Sequence, residues 1–392
     1  MIVAGVMSGT SADGIDVALV RLSGGLSFAK SEQRLPGGSY AIKLLGHAAF
    51  PYARDVRKAV LSAMNATSAS VADLSRLNVR LAELYAEAVL AAQRKFRLKV
   101  DLIGCHGQTI YHQGDGRPFL RQKIATTWQT GEGSVLAART GVPVVSDFRP
   151  ADMAVGGKGA PLVPFFDYTF YRHPRIGRIV QNIGGIANLT AIPAAAALNQ
   201  VRAFDTGPGN MVVDAVAERL FHLPYDRDGK IAASGNVLNP VLRDLLRVSF
   251  FRKPPPKTAG REEFGREFVT RFLERCGRAS KADVLATATA LTTNSIAAAL
   301  RRFVLTPRAS YREFIVSGGG AKNPTLLAIL ANELAPMGLT LRLSDEFGLP
   351  SEAKEAVAFA LLAYETWHRR PSNVPSATGA KKPAILGKIC YA

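Results

Sequence analysis

Three stretches pair glycine-rich turns with residues suited to phosphate chemistry. Near the start, Met7-Ser8-Gly9-Thr10-Ser11-Ala12-Asp13-Gly14-Ile15-Asp16 lies between β-branched apolar runs. It reads as strand, polar turn, strand. Glycine removes the Cβ from the approach path, so successive N–H groups and hydroxyls can converge on one anion, here read as the terminal phosphates of ATP. An ordinary N-terminal hairpin would show the same pattern. Further on, Phe204-Asp205-Thr206-Gly207-Pro208-Gly209-Asn210 is a strand ending at an acid and a Gly-Pro-Gly turn, with a helix from Met211 to follow. That order sets a base beside the positive end of a helix dipole. A plain turn or capping acid would look alike. The third stretch, Ser317-Gly318-Gly319-Gly320-Ala321-Lys322-Asn323-Pro324, combines bare backbone suited to a flat ring with an Asn cap and a Pro at the first helical position. A flexible turn is the alternative.

Other polar residues are weaker markers. Leu102 to His112 reads as a buried strand ending in a polar turn, where Gln108 and Thr109 could hydrogen-bond a sugar. His106 and His112 lack a third ligand at metal spacing and read as structural histidines. Asp147 to Pro161 reads as a long loop holding two acids, a base and glycines.

Elements that would carry these residues follow from spacing. Ser39 to His47 continues the opening hairpin as a third strand. Ser70 caps a helix whose Leu74, Leu77, Leu81, Leu84 and Ala88 recur at helical spacing. Arg178 to Ile192 repeats the strand-turn-strand grammar around Gly184-Gly185. Residues 221–262 read as a loop-rich insertion or lid, 282–303 as a buried helix, and 371–392 as irregular chain.

At 392 residues the chain is long enough for two or three domains by the usual size of roughly 100–200 residues. Cys105, Cys276 and Cys390 are too few and too scattered for a disulfide scaffold or zinc ribbon, so a reducing cytoplasm is expected. No signal peptide and no apolar run of the ~20 residues that span a bilayer is evident, so no membrane role is expected. The net charge of +18 is spread thinly, with Lys and Arg clustering no further than pairs such as Arg301-Arg302. A field attracting anionic substrates suits it better than nucleic-acid binding, and no nucleic-acid partner is expected. There is no Gly-x-x-x-x-Gly-Lys-Ser/Thr run and no protein-kinase signature set.

The repeated halves and the late triple glycine resemble the actin, Hsp70 and sugar-kinase superfamily. The literal strings are more specific. Met7 to Asp16, His106-Gly107-Gln108-Thr109, Gly159 to Pro164, Asn182 to Asn188, Phe204 to Asn210, Gly318-Gly319-Gly320-Ala321-x-Asn323 and Glu355-Ala356-x-Ala358-Phe359 resemble anhydro-N-acetylmuramic acid kinases, in that family's order along nearly the whole chain. The resemblance implies an α/β fold of two related ribonuclease H-like (actin-like ATPase) domains with a cleft between them. One lobe would span 1–160 plus 356–392, the other 161–355 with the insertion 221–262. It implies an ATP- and Mg²⁺-dependent kinase that opens 1,6-anhydro-N-acetylmuramic acid with water and phosphorylates O6, in peptidoglycan recycling. Asp205 falls at the catalytic acid. Ser8, Gly9, Thr10, Ser11, Ala12, Asp13, Gly14 and Ile15 fall on the phosphate loop, and Gly184, Gly185, Gly207, Gly209, Asn210, Gly318, Gly319, Gly320 and Asn323 on the rest of the ATP site. Gln108, Thr109, Asp152 and Glu355 fall on the sugar site. Asp13, through water, and Asp205 are the metal candidates. Closure of the lobes on binding is expected because each half carries part of the site, and a homodimer is a family-level expectation.

The chain departs from the family pattern at Ala12, Ala151, Lys158 and Thr130-Gly131-Glu132-Gly133. These bear on sugar specificity, and leave open a related kinase for another sugar. A nucleotide-driven switch of the Hsp70 or actin kind is the alternative from another class.

Overall fold

The computed structural model describes residues 1–9, 11–25, 40–306 and 310–392, and Arg261 by its backbone alone. Its strands are β1 (Ile2–Ser8), β2 (Gly14–Gly24), β3 (Tyr40–Pro51), β4 (Leu102–Phe119), β5 (Gln122–Thr130), β6 (Val144–Ser146), β7 (Gly177–Ile183), β8 (Ile186–Ile192), β9 (Arg202–Pro208), β10 (Tyr311–Ser317), β11 (Thr340–Leu343) and β12 (Lys388–Cys390). Two compact units divide them. The first holds 1–170, 197–199 and 353–392, the second 171–196 and 200–352.

In the first unit the sheet runs β12-β6-β4-β1-β2-β3, with β5 paired to β4. The strands β1, β2 and β3 form an antiparallel meander, and β4 returns parallel to β1. A parallel return needs a long crossover. The helix Val71–Phe96 supplies it, capped by Ser70 accepting from the Asp73 N–H and ended by Arg97 in the left-handed region. Its Leu81, Tyr85, Ala88 and Ala92 are buried at helical spacing. In the second unit the order is β11-β10-β7-β8-β9, again an antiparallel meander followed by parallel strands. The core order β3-β2-β1-β4-β6 of the first unit thus recurs as β9-β8-β7-β10-β11. Both units are ribonuclease H-like α/β layers.

The helix Lys354–Trp367 seats on the first sheet through two glycines. Gly5 of β1 and Gly104 of β4 are register partners. A Cβ on Gly5 would strike the Ala356 carbonyl, and one on Gly104 the Phe359 carbonyl. The pair clears a bare patch on which helix backbone lies directly against strand backbone. In the second unit the Ala-rich helix Lys281–Ala299 is buried on nearly all sides, as its composition predicts, and its buried Thr and Ser hydroxyls are hydrogen-bonded to backbone carbonyls.

Five expectations need correction. The strand from Leu102 does not turn at His112 but continues to Phe119 and folds back as β5, through Leu120 and Arg121 at φ 46° and 64°. Such angles match the tight hairpin turn whose twist suits paired strands. The stretch after Asp147 is the short helix Phe148–Ala154. Residues 221–262 carry short helices between their loops, and their Leu242, Leu245, Phe250 and Phe251 join one apolar cluster with the Lys281–Ala299 helix. The tail supplies β12, antiparallel to β6. The unit boundary falls after Phe170, where 160/161 was expected, because the helix Pro164–Tyr171 starts in the first unit with Asp167 in a buried ion pair with Lys354, at 2.8 Å. No helix among the described residues is long and apolar enough to cross a membrane.

Candidate active site

In the first unit the turn between β1 and β2 is bolted from below. Ser8 is buried, and its single hydroxyl proton is shared between the Gly14 carbonyl at 3.0 Å and Gln108 Oε1 at 2.7 Å. The Gln108 Nε2 donates to the Gly9 carbonyl at 3.1 Å. Ala12 closes the turn by donating its N–H to that same carbonyl at 3.1 Å. Ala12 is fully buried at φ 53°, so a small side chain suits both the conformation and the core beneath it. Ile15 is likewise a core residue. Among the described residues, the nearest atom that a Cβ on Gly9 would meet is Ser11 Oγ at 3.8 Å, so they leave room beside Gly9. Thr10 lies outside the described residues. Asp13 is exposed, and its carboxylate pairs with Arg57 at 3.3 Å.

This geometry corrects the reading of Gln108. Its side chain is wholly buried and committed to Ser8 and Gly9, so it braces the hairpin and offers nothing to a sugar. Replacing Gln108 by Leu is expected to remove its two hydrogen bonds, to Ser8 Oγ and to the Gly9 carbonyl, and cost about 1–3 kcal/mol. A urea unfolding curve would reveal it, and an unmoved midpoint would refute the brace. Asp152 is corrected in the same way. It is fully buried and accepts from the Gly159 N–H at 2.9 Å, from Asn373 at 2.8 Å and from Thr378 at 2.8 Å. It ties the Gly156–Gly159 turn to the tail.

Thr109 is half-buried and accepts from Gln129 Nε2 at 3.3 Å. Glu355 is half-buried at the start of the helix on the bare glycine patch. Burial raises its pKa and Asp16 adds to the rise, while Lys354 and Arg149 oppose it. Sequence reading missed Arg149. Its guanidinium donates to His106 Nε2, with contacts at 2.8 and 3.2 Å, and to the Gly159 carbonyl at 2.8 Å. Burial and that neighbouring cation hold the His106 pKa well below its usual value, so the imidazole is neutral and can accept. Of the departures from the family pattern, Lys158 pairs with Asp115 at 3.0 Å, and Thr130 is buried with its hydroxyl on the Gln108 carbonyl at 3.2 Å.

In the second unit two turns interlock. The carbonyl of Gly184 accepts from the Asn210 N–H at 2.7 Å, and that of Gly185 from Gly209 and Met211 at 2.9 and 3.1 Å. Gly209 admits no Cβ, which would strike the Gly184 carbonyl. Gly207 is buried against Phe251 and Ser295. Gly318 sits at φ 83° beside Asn182 and Ile183, and Gly320 against Ile183. Asn323 accepts from the Leu326 N–H at 3.0 Å and so caps the helix Pro324–Leu334, with Pro324 at its first turn. Asn210, Gly319 and Asn323 line one cavity of about 590 Å³ together with Asp214, Tyr225 and Asp226. Asp214, which the sequence did not single out, has its pKa pushed up to about 7 by burial.

Asp205 lies on β9, half-buried, opposite Asn188 of β8. Its Oδ2 accepts from the Ala259 N–H at 2.7 Å, and its own N–H donates to the Lys257 carbonyl at 3.1 Å. Burial pushes its pKa up to about 7. The Ala259 hydrogen bond and Lys257 pull the other way, while Glu263 and Glu262 push with burial. A carboxylate that changes charge near neutrality is suited to take a proton from water. The described residues contain no group of three or more His, Cys, Asp or Glu able to hold a metal ion.

The model of the family "Anhydro-N-acetylmuramic acid kinase" matches residues 1–392. A protein of that name from Bacillus cereus (strain AH187) is 44% identical over 394 residues, covering 100% of this chain and 99% of its own. Another, from Bacillus thuringiensis subsp. konkukian (strain 97-27), is 44% identical over 396 residues with the same coverage. Among solved structures, component A of the (R)-2-hydroxyglutaryl-CoA dehydratase of Acidaminococcus fermentans aligns with 93% of this chain and 98% of its own, at 11% identity and a TM-score of 0.44.

Proposed function

The chain belongs to the anhydro-N-acetylmuramic acid kinase family, and from that premise we propose that it uses ATP to convert 1,6-anhydro-N-acetylmuramic acid into N-acetylmuramic acid 6-phosphate. Asp205 takes a proton from a water molecule as that water adds to C1. The C1–O6 bond breaks, and O6 carries the released electron pair to the γ-phosphorus, with ADP leaving. Phosphoryl transfer asks the protein for placement and charge stabilisation more than covalent help. The room beside Gly9 supports a role in holding the phosphates. The cavity lined by Asn210, Gly319 and Asn323 supports a role in holding the nucleoside. Thr109 and Glu355 are the sugar contacts of this reading.

A divalent cation of such a reaction would neutralise phosphate charge. The donors present fit an ion brought in by the nucleotide and held through water by Asp13. That carboxylate is exposed, pairs with Arg57 and belongs to no group of three or more metal-capable side chains among the described residues.

The observation that carries the proposal is the carboxylate of Asp205, with one oxygen fixed by Ala259 and a pKa near neutrality. Product made in ¹⁸O-labelled water tests it. Mass spectrometry should find one phosphoryl group and one labelled oxygen, at C1. A phosphorylated product that keeps its anhydro bridge would sink the reaction. The pH profile follows from the same group. A base works when ionised, and the Asp205 pKa is about 7. The kcat/KM for the sugar should therefore climb through pH 7 and level off above it. Initial rates over the range pH 5 to 9 would expose an acid limb centred elsewhere.

A further inference from the structure

A fully buried lysine adjoins Asp205, and the reaction just described makes no use of it. Lys257 is 2% exposed. Its Nζ donates to the Phe250 carbonyl at 3.1 Å and faces the rings of Phe250, Phe303 and Phe204 at 4.6, 4.9 and 5.8 Å. An aromatic cage of this kind favours a desolvated cation. Burial lowers the lysine's pKa to about 8, with Lys253 and Arg302 helping and Asp205 opposing, so the ammonium stays largely protonated at neutral pH. Its own backbone accepts the Asp205 N–H, and two residues on Ala259 donates to Asp205 Oδ2. The cage and the base thus share one short segment.

We infer that Lys257 is a positioning residue for the catalytic base: its caged ammonium pins residues 257–259 against the middle of β9, and the pinned segment holds Asp205 by its N–H and Oδ2 so that Oδ1 is the oxygen presented to water. Among the described residues Oδ1 has no hydrogen-bond partner. A methionine would fill the same apolar cage with less desolvation, and removing a buried charge is often neutral or stabilising when the replacement packs well. Stability alone therefore gives no reason for an ammonium here. Orientation does, because proton transfer depends on hydrogen-bond reach and angle. The inference rests on Asp205 being the base of the proposed reaction.

The test is steady-state kinetics of the full-length protein with ATP and the anhydro sugar. Lys257→Met should lower kcat about 10- to 100-fold and leave both KM values within about twofold. In an Asp205→Asn background the same change should add almost nothing, since the two residues act as one unit. Unaltered kcat in Lys257→Met, or an equal loss in both backgrounds, would overturn the inference. If Lys257→Met does not fold, Phe303→Leu opens the cage and keeps the charge. It should show the same kcat-selective loss, and unchanged kcat there would be equally fatal. A parent protein without activity on the anhydro sugar would instead sink the reaction, and this inference with it.

Discussion

Replacing Asp205 by Asn should lower turnover of the anhydro sugar by at least about 10³-fold, within the ~10²–10⁴-fold usual for loss of a general base. One base here serves two linked bond changes, water addition at C1 and release of O6, so the upper part of that range is expected. The amide keeps an oxygen able to accept from Ala259 at the position where the carboxylate accepts now, at 2.7 Å. The loss would thus report proton transfer rather than a disturbed turn. Single-turnover assays with saturating ATP would measure it, and a variant as fast as the parent would end the mechanism. Stability should move the opposite way. The folded pKa of about 7 lies above the ordinary 3.8. Folding therefore takes up a proton between those values, and this group's favourable contribution is complete below pH 4 and lost as pH rises through 7. At pH 8 Asp205→Asn should melt at a higher temperature than the parent, with the gap closing toward pH 4. Calorimetry at the two pH values would decide it.

The second large effect concerns Gly5. Val at this position should cost about 3 kcal/mol or more, at or beyond the upper end of the usual overpacking cost. The side chain would be driven into the Ala356 carbonyl, and helix backbone cannot rotate away as a side chain can. Against a typical total stability of about 5–15 kcal/mol, such a loss would show as poor soluble yield and an early urea midpoint. A midpoint equal to the parent's would mean that the Lys354–Trp367 helix does not rest on β1 and β4 as described.

Much of the fold was legible because its punctuation is local. Ser70 with Asp73, Asn323 with Pro324, and the Gly184-Gly185 turn act through neighbours a few residues away. The repeat of strand-turn-strand grammar then pointed to two similar sheets. What sequence could not supply was the partner across space. Gln108 and Asp152 look like ligands because they are polar and follow strands. Their partners are Ser8 and Gly9 a hundred residues upstream, and Asn373 and Thr378 over two hundred downstream. Gly5 and Gly104 look like ordinary strand residues until a helix is laid over both. The segment 254–262 was hidden for another reason. Proline-rich and charged, it reads as an insertion, yet it delivers the backbone that grips Asp205. The turn glycines at 209 and 318 were visible as turns, but their crowding against other backbone was not.

The brace under the first hairpin also sets a distance. Gln108 and Thr109 are consecutive residues of β4, and consecutive strand residues point to opposite faces. One is fastened to the loop proposed to hold the phosphoryl donor, while the other is a proposed contact of the acceptor sugar. A single peptide unit then acts as the gauge between the two substrates. Slack on either side is transmitted to the other, so lesions in this stretch should impair affinity for nucleotide and sugar in concert, a correlation that two independently anchored subsites would not produce.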